Sequence, residues 1–567
     1  MASTTAMFTA LSGLTANARN LDVIGNNISN VNTTAFKSNR MLFASQFSRN
    51  ISLGSVPGES TGGTNPAQIG LGVTIAGTQR NFSTGSLQPT GDQRDLAIEG
   101  DGFFVVSRGD SQFYTRAGAF RQNSNNDLVN ISGQRVMGYG VDAGFNIVEG
   151  TLKPLNLPVG QLRLAEATKN VRFSGNLNSQ GTIGSQGSVT TLAAMTTVAT
   201  GNPAAAATDL LTDIDDPATT GSQSLFTAGQ FIELRGVEKG GKTLPTARYE
   251  VTATSTVQDL MNFFRDSLGI NTTTGTGTGV AIDTNGQISI TGNIGTGNDI
   301  ALETADIRQL SAGGALVGAG SPLVTTKAQS ANGESIRTTF VAYDSLGNSV
   351  NVDLTMVLES RGNGTTWRYF IDSPDDSGAS LAVGSGTIAF DSSGRQVADT
   401  PINITINRTG TGAEATMGIN LNFSSPTSLV TSLGARSELA AVYQDGTPVG
   451  TLSSFSVGVD GVITGAFTNG LTRPVGQVAV AKFSNSEGLV DIGNNLFETG
   501  PNSGTPVITT PGKLGTGSVV GGSLELSNVD LAEEFVRLIQ TQTGYSANSR
   551  VISATDQLLQ QLLVIGR

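Results

Sequence analysis

Apolar residues recur in a heptad pattern at both ends of this 567-residue chain, and this pattern constrains the fold most strongly. Near the N-terminus the steps alternate between four and three residues, through Met7, Leu11, Leu14, Ala18, Leu21, Gly25 and Ile28. Such spacing sets the side chains in one stripe along a helix that packs against a partner. The pattern predicts a helix within residues 1–35. We expect it to end in the asparagine-rich segment 26–32, because asparagine side chains compete for backbone hydrogen bonds.

A second heptad predicts a C-terminal helix over residues 529–565. One position repeats every seven residues and is apolar throughout: Leu531, Leu538, Tyr545, Ile552 and Leu559. The position four residues later is apolar at its two ends, Phe535 and Leu563. Between them it is polar, at Gln542, Ser549 and Asp556. A helix with so incomplete a stripe gains stability when several copies pack together.

Both terminal helices are predicted to form a coiled-coil-like bundle shared by many copies of the chain. The alternative is a hairpin of the two helices within one monomer. Their position at the two extremes of a long chain favours the shared bundle. The predicted subunit assembly residues are Met7, Leu11, Leu14, Ala18, Leu21, Ile28, Leu531, Phe535, Leu538, Tyr545, Ile552, Leu559 and Leu563.

Between the two helices, composition favours short strands and turns. Glycine is abundant, with 73 residues, and charged residues make up only 14% of the chain. Segments 340–343 and 350–357 alternate as strands do, around a turn at 344–348. One internal helix is predicted at 256–268, where apolar residues recur on one side. The predicted fold class is therefore mainly β and multidomain, with α-helical termini.

The family resemblance described below implies that the chain passes outward through a series of β domains and returns through them. With that path, we expect five domains, four of which combine an outgoing and a returning segment. They are a helical inner domain (1–35 with 525–567), a loop-like connector (36–75 with 505–524), an inner β domain (76–160 with 431–504), an outer β domain (161–184 with 326–430) and an inserted variable module (185–325).

Composition excludes several classes of function. Cysteine and histidine are both absent, which removes disulfides, thiolate nucleophiles, the usual structural zinc ligands and any Ser-His-Asp triad. The formal net charge is −12, so a nucleic-acid partner is not expected. No apolar run is long enough to span a membrane, and no secretory signal is recognisable. We predict no catalytic residues, no cofactor and no metal.

Two other functions have some support in the sequence. The acidic pairs 215–216 and 375–376 resemble glycosidase carboxylates, although turn residues in solvent explain them more simply. The single tryptophan, Trp367, alternates with neighbours along a strand and is predicted to lie in the core. If it were exposed, it would offer a platform for a sugar ring, as in a surface adhesin.

The termini resemble a known family. Residues 11–37, LSGLTANARNLDVIGNNISNVNTTAFK, are similar to the N-terminal signature of bacterial flagellar rod and hook proteins. Residues 523–567 are similar to the matching C-terminal signature. Two internal blocks, DLAIEGDGFFVV at 95–106 and residues 114–139, resemble the β domain that the family shares.

Two further blocks favour the hook members over the rod members. Residues 340–350, FVAYDSLGNSV, resemble the outer domain of hook proteins, and residues 461–504 resemble their returning inner β segment. Rod proteins are much shorter and lack large outer domains, whereas hook–filament junction proteins differ in the central blocks. A distal rod or junction protein is the alternative within the family.

The resemblance implies a structural subunit without catalysis. Hook subunits stack helically into a curved tube that transmits motor torque to the filament, like a universal joint. The implied partners are copies of the chain, rod proteins at the base, the hook cap during growth, junction proteins at the tip and the flagellar type III export apparatus. The implied location is the hook outside the cell, reached without signal cleavage. The connector after Asn32 is expected to let the outer domains tilt.

Overall fold

The structure is a computed structural model that describes residues 4–219, 221–272, 279–318, 321–398, 401–425 and 428–565. The chain divides into two units. Unit 1 comprises residues 1–163 and 451–567, and unit 2 comprises residues 164–450. The predicted terminal domain extends beyond the described residues at both ends, since residues 1–3 and 566–567 lie outside them.

Helices occupy both ends of the chain, as predicted. The described residues form three α-helices: α1 (Thr4–Ser29), α2 (Val257–Ser267) and α3 (Leu531–Ile565). Short 3₁₀ turns lie at Leu211–Asp213, Thr296–Asn298, Thr304–Asp306 and Ser486–Gly488. At the start of α2, Asp259 N donates to Thr256 Oγ1 at 3.3 Å and Thr256 N donates to Asp259 Oδ2 at 2.9 Å, a reciprocal cap that fixes where this helix begins.

A two-stranded antiparallel ribbon follows α1. Its strands are Asn39–Ser45 paired with Val73–Arg80 and Ser48–Ser52 paired with Ala67–Gly70. Bridges at Ser55–Thr64 and Gly58–Thr61 extend the pairing to the tip. This ribbon differs from the loop-like connector predicted for 36–75. It has little buried surface, so its sequence lacks the alternation of apolar and polar residues by which strands are recognised.

The β domain of unit 1 interleaves strands from the two halves of the chain. In its sheet, Thr472–Val478 pairs with Arg135–Val141, and Val480–Lys482 pairs with Phe103–Arg108. The other strands of this domain are Leu87–Pro89, Leu96–Glu99, Ser111–Thr115, Arg121–Gln122, Leu128–Val129, Ile147–Pro154, Val462–Phe467, Val490–Asp491, Leu496–Glu498, Val507–Thr509, Ser518–Gly521 and Ser523–Glu525. Strands from the two halves of the chain therefore share one sheet.

Residues 505–524 do not form a separate connector. Ser518–Gly521 pairs with Leu96–Glu99, and Val507–Thr509 pairs with Val480–Lys482. The segment is therefore part of the β domain, whereas the sequence places it in a loop-like connector. Glycine and proline interrupt its short strands, and these residues are typical of loops, so the sequence predicts a loop here.

Unit 2 contains two packed sheets around one core. The first is a meander of Ser335–Tyr343, Ser349–Gly362, Gly364–Asp372 and Ala382–Phe390. The second contains Asn170–Asn178, Ile402–Asn407, Thr416–Asn422, Ser424–Ser425, Ser428–Leu433 and Glu438–Gln444. Trp367 lies in their shared core, fully buried, and its Nε1 donates to Ser432 Oγ at 3.2 Å. It therefore cannot act as an exposed sugar platform.

The inserted segment has a core of its own within unit 2. Apolar residues of α2 pack there with strands on either side of the helix in sequence. These strands are Gly187–Leu192, Phe231–Leu234, Glu238–Lys239, Lys242–Thr243, Ala247–Glu250, Gly279–Ile282, Ile288–Ile294, Ile300–Ala301, Ile307–Leu310 and Thr325–Gln329. The predicted helix at 256–268 is thus part of a folded module.

One predicted boundary differs from the strand pairing. The sequence places residues 431–450 with the inner β domain, whereas Glu438–Gln444 pairs with Asn170–Asn178 in unit 2. The chain passes between the units in strands Arg163–Glu166 and Thr447–Val457. Alternation within a strand shows which side chains are buried, but it does not show which sheet the strand joins.

Candidate assembly surface

The two terminal helices of one chain lie side by side and run antiparallel. Asn20 Nδ2 donates to Thr541 Oγ1 at 2.9 Å, and Asn27 Nδ2 donates to Glu534 Oε1 at 3.2 Å. As the residue number rises along α1, the partner number falls along α3. The intramolecular hairpin that the sequence leaves as an alternative is therefore present. A single chain does not test the shared bundle.

The face of α1 toward α3 is displaced by one residue from the predicted stripe. Its residues also follow a three-and-four spacing, but all except Ile24 are small or polar: Ala10, Gly13, Asn17, Asn20, Ile24 and Asn27. The helices approach closely here, since a Cβ added to Gly13 would lie 2.8 Å from Asn548 Nδ2. The pairing within the chain therefore leaves the leucine-rich stripe for other contacts.

The matching face of α3 is polar and repeats every seven residues. Glu534, Thr541 and Thr555 are buried there, and Asn548 is half-buried. The sequence prediction did not include this seam because it considered apolar repeats only. The seven-residue spacing of these four polar residues is visible in the sequence, and Asn20 and Asn27 of α1 have the same spacing.

The predicted assembly residues remain at least partly accessible in the single chain. Leu11, Leu531, Phe535, Tyr545 and Leu563 are exposed. Met7, Leu14, Ala18, Leu21, Ile28, Leu538, Ile552 and Leu559 are half-buried. Further exposed apolar residues on these helices were not predicted: Phe8, Val536, Ile539, Val551, Leu558 and Val564. Together, the exposed residues of these two sets form the terminal apolar surface.

The ribbon adds exposed apolar side chains to unit 1. Phe47 is 90% exposed and Val56 is 87% exposed, and Phe43, Ile51 and Leu53 are exposed as well. A groove of about 470 Å³ lies between α1 and the ribbon, lined by Phe8, Leu11, Val73 and Ile75 among others. A two-stranded ribbon is marginally stable in water, and exposed apolar patches of this kind are typical of interaction surfaces.

Buried charges hold the base of the helix pair to the β domain. Lys37 Nζ lies 2.5 Å from Glu525 Oε1, and both side chains are fully buried. Arg116 Nη1 lies 3.6 Å from Glu525 Oε2, while its Nη2 donates to Gly100 O at 2.7 Å. Ala35 N also donates to Glu525 O at 2.8 Å. We call Lys37, Arg116 and Glu525 the basal charge cluster.

The acidic pairs act within turns and do not form a catalytic site. Asp375 Oδ2 accepts from Asn351 N at 2.7 Å, and Asp376 Oδ2 accepts from Asn407 N at 2.7 Å. Asp215 accepts from Gln223 N at 3.0 Å. Among the described residues, no cluster of three or more acidic side chains is arranged to hold a metal ion. In the same part of the chain, no helix has the length and apolar character to cross a membrane.

Glu534 is the one buried carboxylate of the helix seam, and its Gln variant tests that environment. Burial raises the pKa of Glu534, although Asn27 and Arg537 oppose this effect. A carboxyl group with a raised pKa binds its proton more tightly in the folded state. Its contribution to stability is therefore present at acidic pH and lost as pH rises through that pKa.

We expect Glu534→Gln to stabilise the protein at neutral pH by about 0.5–1 kcal/mol, because the amide carries no charge to desolvate. Urea unfolding followed by circular dichroism at acidic and neutral pH measures this effect. Asp556→Asn, at an exposed position farther along α3, is the control and should change stability little. Lower stability of Glu534→Gln at neutral pH would contradict the assignment of a destabilising buried charge.

Sequence comparisons match both units to flagellar proteins. Residues 7–37 match the family described as "Flagella basal body rod protein", and residues 520–564 match "Flagellar basal body rod FlgEFG protein C-terminal". Residues 97–191 match "Flagellar hook protein FlgE/F/G D1 domain", and residues 314–447 match "Flagellar basal body protein FlaE D2 domain".

Full-length relatives decide the family. The chain is 30% identical to the flagellar hook protein FlgE of Treponema pallidum, with 99% of both chains aligned. The chain belongs to the flagellar hook protein family. It is 28% identical to FlgE of Borreliella burgdorferi and 26% identical to FlgE of Escherichia coli, with 98% of each chain aligned in both cases. Hook proteins are structural subunits, so the chain is not an enzyme.

Membership of this family also gives the location, which is the flagellar hook outside the cell. Among solved structures, the chain aligns with the crystal structure of Helicobacter pylori flagellar hook protein FlgE2 at a TM-score of 0.37 and 19% identity. That alignment covers 77% of this chain and all of the other.

Proposed function

We propose that this hook subunit assembles with copies of itself through its terminal apolar surface, and that the resulting tube is curved, flexible and able to transmit motor torque. One observation carries the proposal. The seam that pairs α1 with α3 uses small and polar residues, so the apolar residues of both helices remain available for neighbouring subunits.

Burial of these residues supplies the driving force for assembly. Phe535, Ile539 and Leu563 are each exposed in the single chain. Covering the half to three-quarters of such a side chain that remains exposed stabilises an assembly by about 1–2 kcal/mol, and every subunit of a helical polymer repeats the gain. The polar seam contributes alignment, because Asn20 and Asn27 bond to their α3 partners in one register only.

The two sides of the helix pair are proposed to have different roles in the tube. Gln542, Ser549 and Asp556 lie exposed on α3, and we assign this polar row to the lumen. The row from Leu531 to Leu559 is assigned to neighbouring subunits, together with Phe535 and Leu563. The coiled-coil-like inner domain is then a property of the polymer, and each chain contributes one antiparallel pair to it.

The further partners follow from the family resemblance. They are rod proteins at the base, a hook cap during growth, junction proteins at the tip and the type III export apparatus. The outer domain match at 314–447 supports a hook position over a distal rod or junction position. The exposed ribbon is proposed as a second contact between subunits, since Phe47 and Val56 have no cover of their own.

Electron microscopy of cells that lack this chain tests the proposed function. We expect basal bodies that carry neither hooks nor filaments, and we expect the full-length chain supplied in trans to restore both. Cells that still build hooks of normal shape in its absence would contradict the proposal.

A further inference from the structure

Two lysines of the inserted module meet two aspartates of the four-stranded sheet in unit 2. Lys239 and Lys242 lie opposite each other in a tight hairpin. Asp353 and Asp372 lie opposite each other on neighbouring strands, which places their Cβ atoms about 4.5–5.5 Å apart. Lys239 Nζ is 2.7 Å from Asp372 Oδ2, and Lys242 Nζ is 2.7 Å from Asp353 Oδ2. The arrangement therefore contains two lysine–aspartate pairs in one cluster.

The two pairs differ in their exposure. The Lys239 side chain is fully buried and that of Asp372 is 6% exposed, whereas Lys242 is 43% exposed. Lys239 Nζ also donates to Gly269 O at 3.0 Å. Asp372 Oδ1 is buried, and no described group forms a hydrogen bond with it. An ion pair that is buried and only half satisfied is an unfavourable arrangement.

We propose that Lys239 and Asp372 condense into an isopeptide bond that joins the module covalently to the sheet. Lys239 Nζ forms a bond with Asp372 Cγ, and the bond from Cγ to Oδ1 breaks. Two of the three ammonium protons leave with that oxygen as water, and the third stays on the amide nitrogen. The charges of the ammonium and carboxylate cancel, so the reaction requires no oxidant, reductant or other co-reactant.

The surroundings of this pair favour condensation. The amine and the carboxyl group are held in contact by two folded elements, and such positioning raises effective concentration to about 10⁵–10⁸ M in favourable cases. The step starts from the neutral form of the pair, in which the amine is the nucleophile and the carboxylic acid is the electrophile.

Gly269 permits the close approach of the two groups. Its φ is +61°, and a Cβ there would lie 2.9 Å from both Lys239 Nζ and Asp372 Oδ1. A larger residue would push into both reacting groups. The glycine carbonyl instead orients the lysine nitrogen through its hydrogen bond.

The bond would join residues 133 positions apart in the sequence. It would hold the inserted module to the outer sheet when the subunit is loaded mechanically. Lys242 and Asp353 remain an ordinary ion pair because water reaches the lysine. The inference concerns a covalent modification, so it stands or falls independently of the assembly proposed above.

Mass spectrometry of the purified full-length protein tests the bond. Trypsin should release a branched peptide made of residues 236–242 and 369–395, because the modified Lys239 is no longer cleaved. Its mass should equal the sum of the two linear peptides less one water. Recovery of the two segments only as separate linear peptides, with an intact mass equal to that of the sequence, would overturn the proposal.

Variants identify the two atoms that react. Lys239→Arg should abolish the branched peptide, whereas Lys242→Arg should retain it, since that pair is the matched control within the same cluster. Asp372→Asn should form the same branched peptide with loss of ammonia in place of water. A branched peptide that persists in Lys239→Arg, or that disappears in Lys242→Arg while the protein stays folded, would contradict the assignment to Lys239 and Asp372.

Discussion

A subunit that carries Phe535→Asp and Ile539→Asp together is expected to fold normally and to leave the cell without hooks. The two side chains are 50% and 61% exposed and lie one turn apart on α3, away from the seam with α1. Two carboxylates there would lose about 1–2 kcal/mol of burial for each residue and would add a desolvation cost. The loss recurs in every subunit. Motility and electron microscopy of complemented cells measure the effect.

The control for this variant keeps both positions apolar. Phe535→Leu and Ile539→Leu together should preserve hooks, because leucine buries a similar area. Circular dichroism and thermal unfolding of the purified Asp variant establish that its helices and β domains are intact. Normal hooks in cells with the Asp variant would show that this part of α3 does not contact neighbouring subunits.

The sequence predicted the two terminal helices but did not reveal the contacts between them within one chain, for a physical reason. The heptad spacing required helices at both termini, and α1 and α3 are present. The apolar stripe was predicted to contact other copies of the chain, whereas the seam within the chain lies one residue away at Gly13, Asn20 and Asn27. Hydrogen bonds between specific side chains select this face, and hydrophobic periodicity does not encode them.

The region after α1 is more firmly held than the sequence indicates. The connector after Asn32 was expected to let the outer domains tilt. In unit 1, however, Ser38 N donates to Asn528 Oδ1 at 2.8 Å, and Asn495 Nδ2 donates to Thr34 O at 2.8 Å. These bonds join residues more than 400 positions apart, a separation at which local sequence patterns carry no information.

The basal charge cluster could not have been predicted either. Lys37, Arg116 and Glu525 lie in three separate parts of the sequence. Each is of a residue type that is usually exposed to solvent. The β strands that enclose them bring them together. Pairing of Ser523–Glu525 with Leu87–Pro89 places the carboxylate inside unit 1, where Gly85 N also donates to its Oε1 at 2.9 Å.

Replacement of Glu525 by leucine is expected to destabilise unit 1 by about 3–5 kcal/mol, because Lys37 and Arg116 would remain buried without their carboxylate. Burial lowers the pKa of Lys37, and Glu525 opposes that effect. Without Glu525 the pKa falls further, so the folded state binds fewer protons than the unfolded state. The variant should therefore gain stability as pH rises toward 10.5, the ordinary value for lysine.

Hydrogen exchange measures this loss in each unit separately. Peptides from unit 1 should exchange faster in Glu525→Leu, while peptides from unit 2, such as the strand that contains Trp367, serve as the internal control. The double variant Lys37→Met with Glu525→Leu should recover most of the stability, because it removes the unpaired lysine charge. Arg116 still donates hydrogen bonds to the backbone carbonyls of Ile98 and Gly100 in this variant. If the double variant is as unstable as the single one, the cost lies in lost packing and the unpaired charge is not its cause.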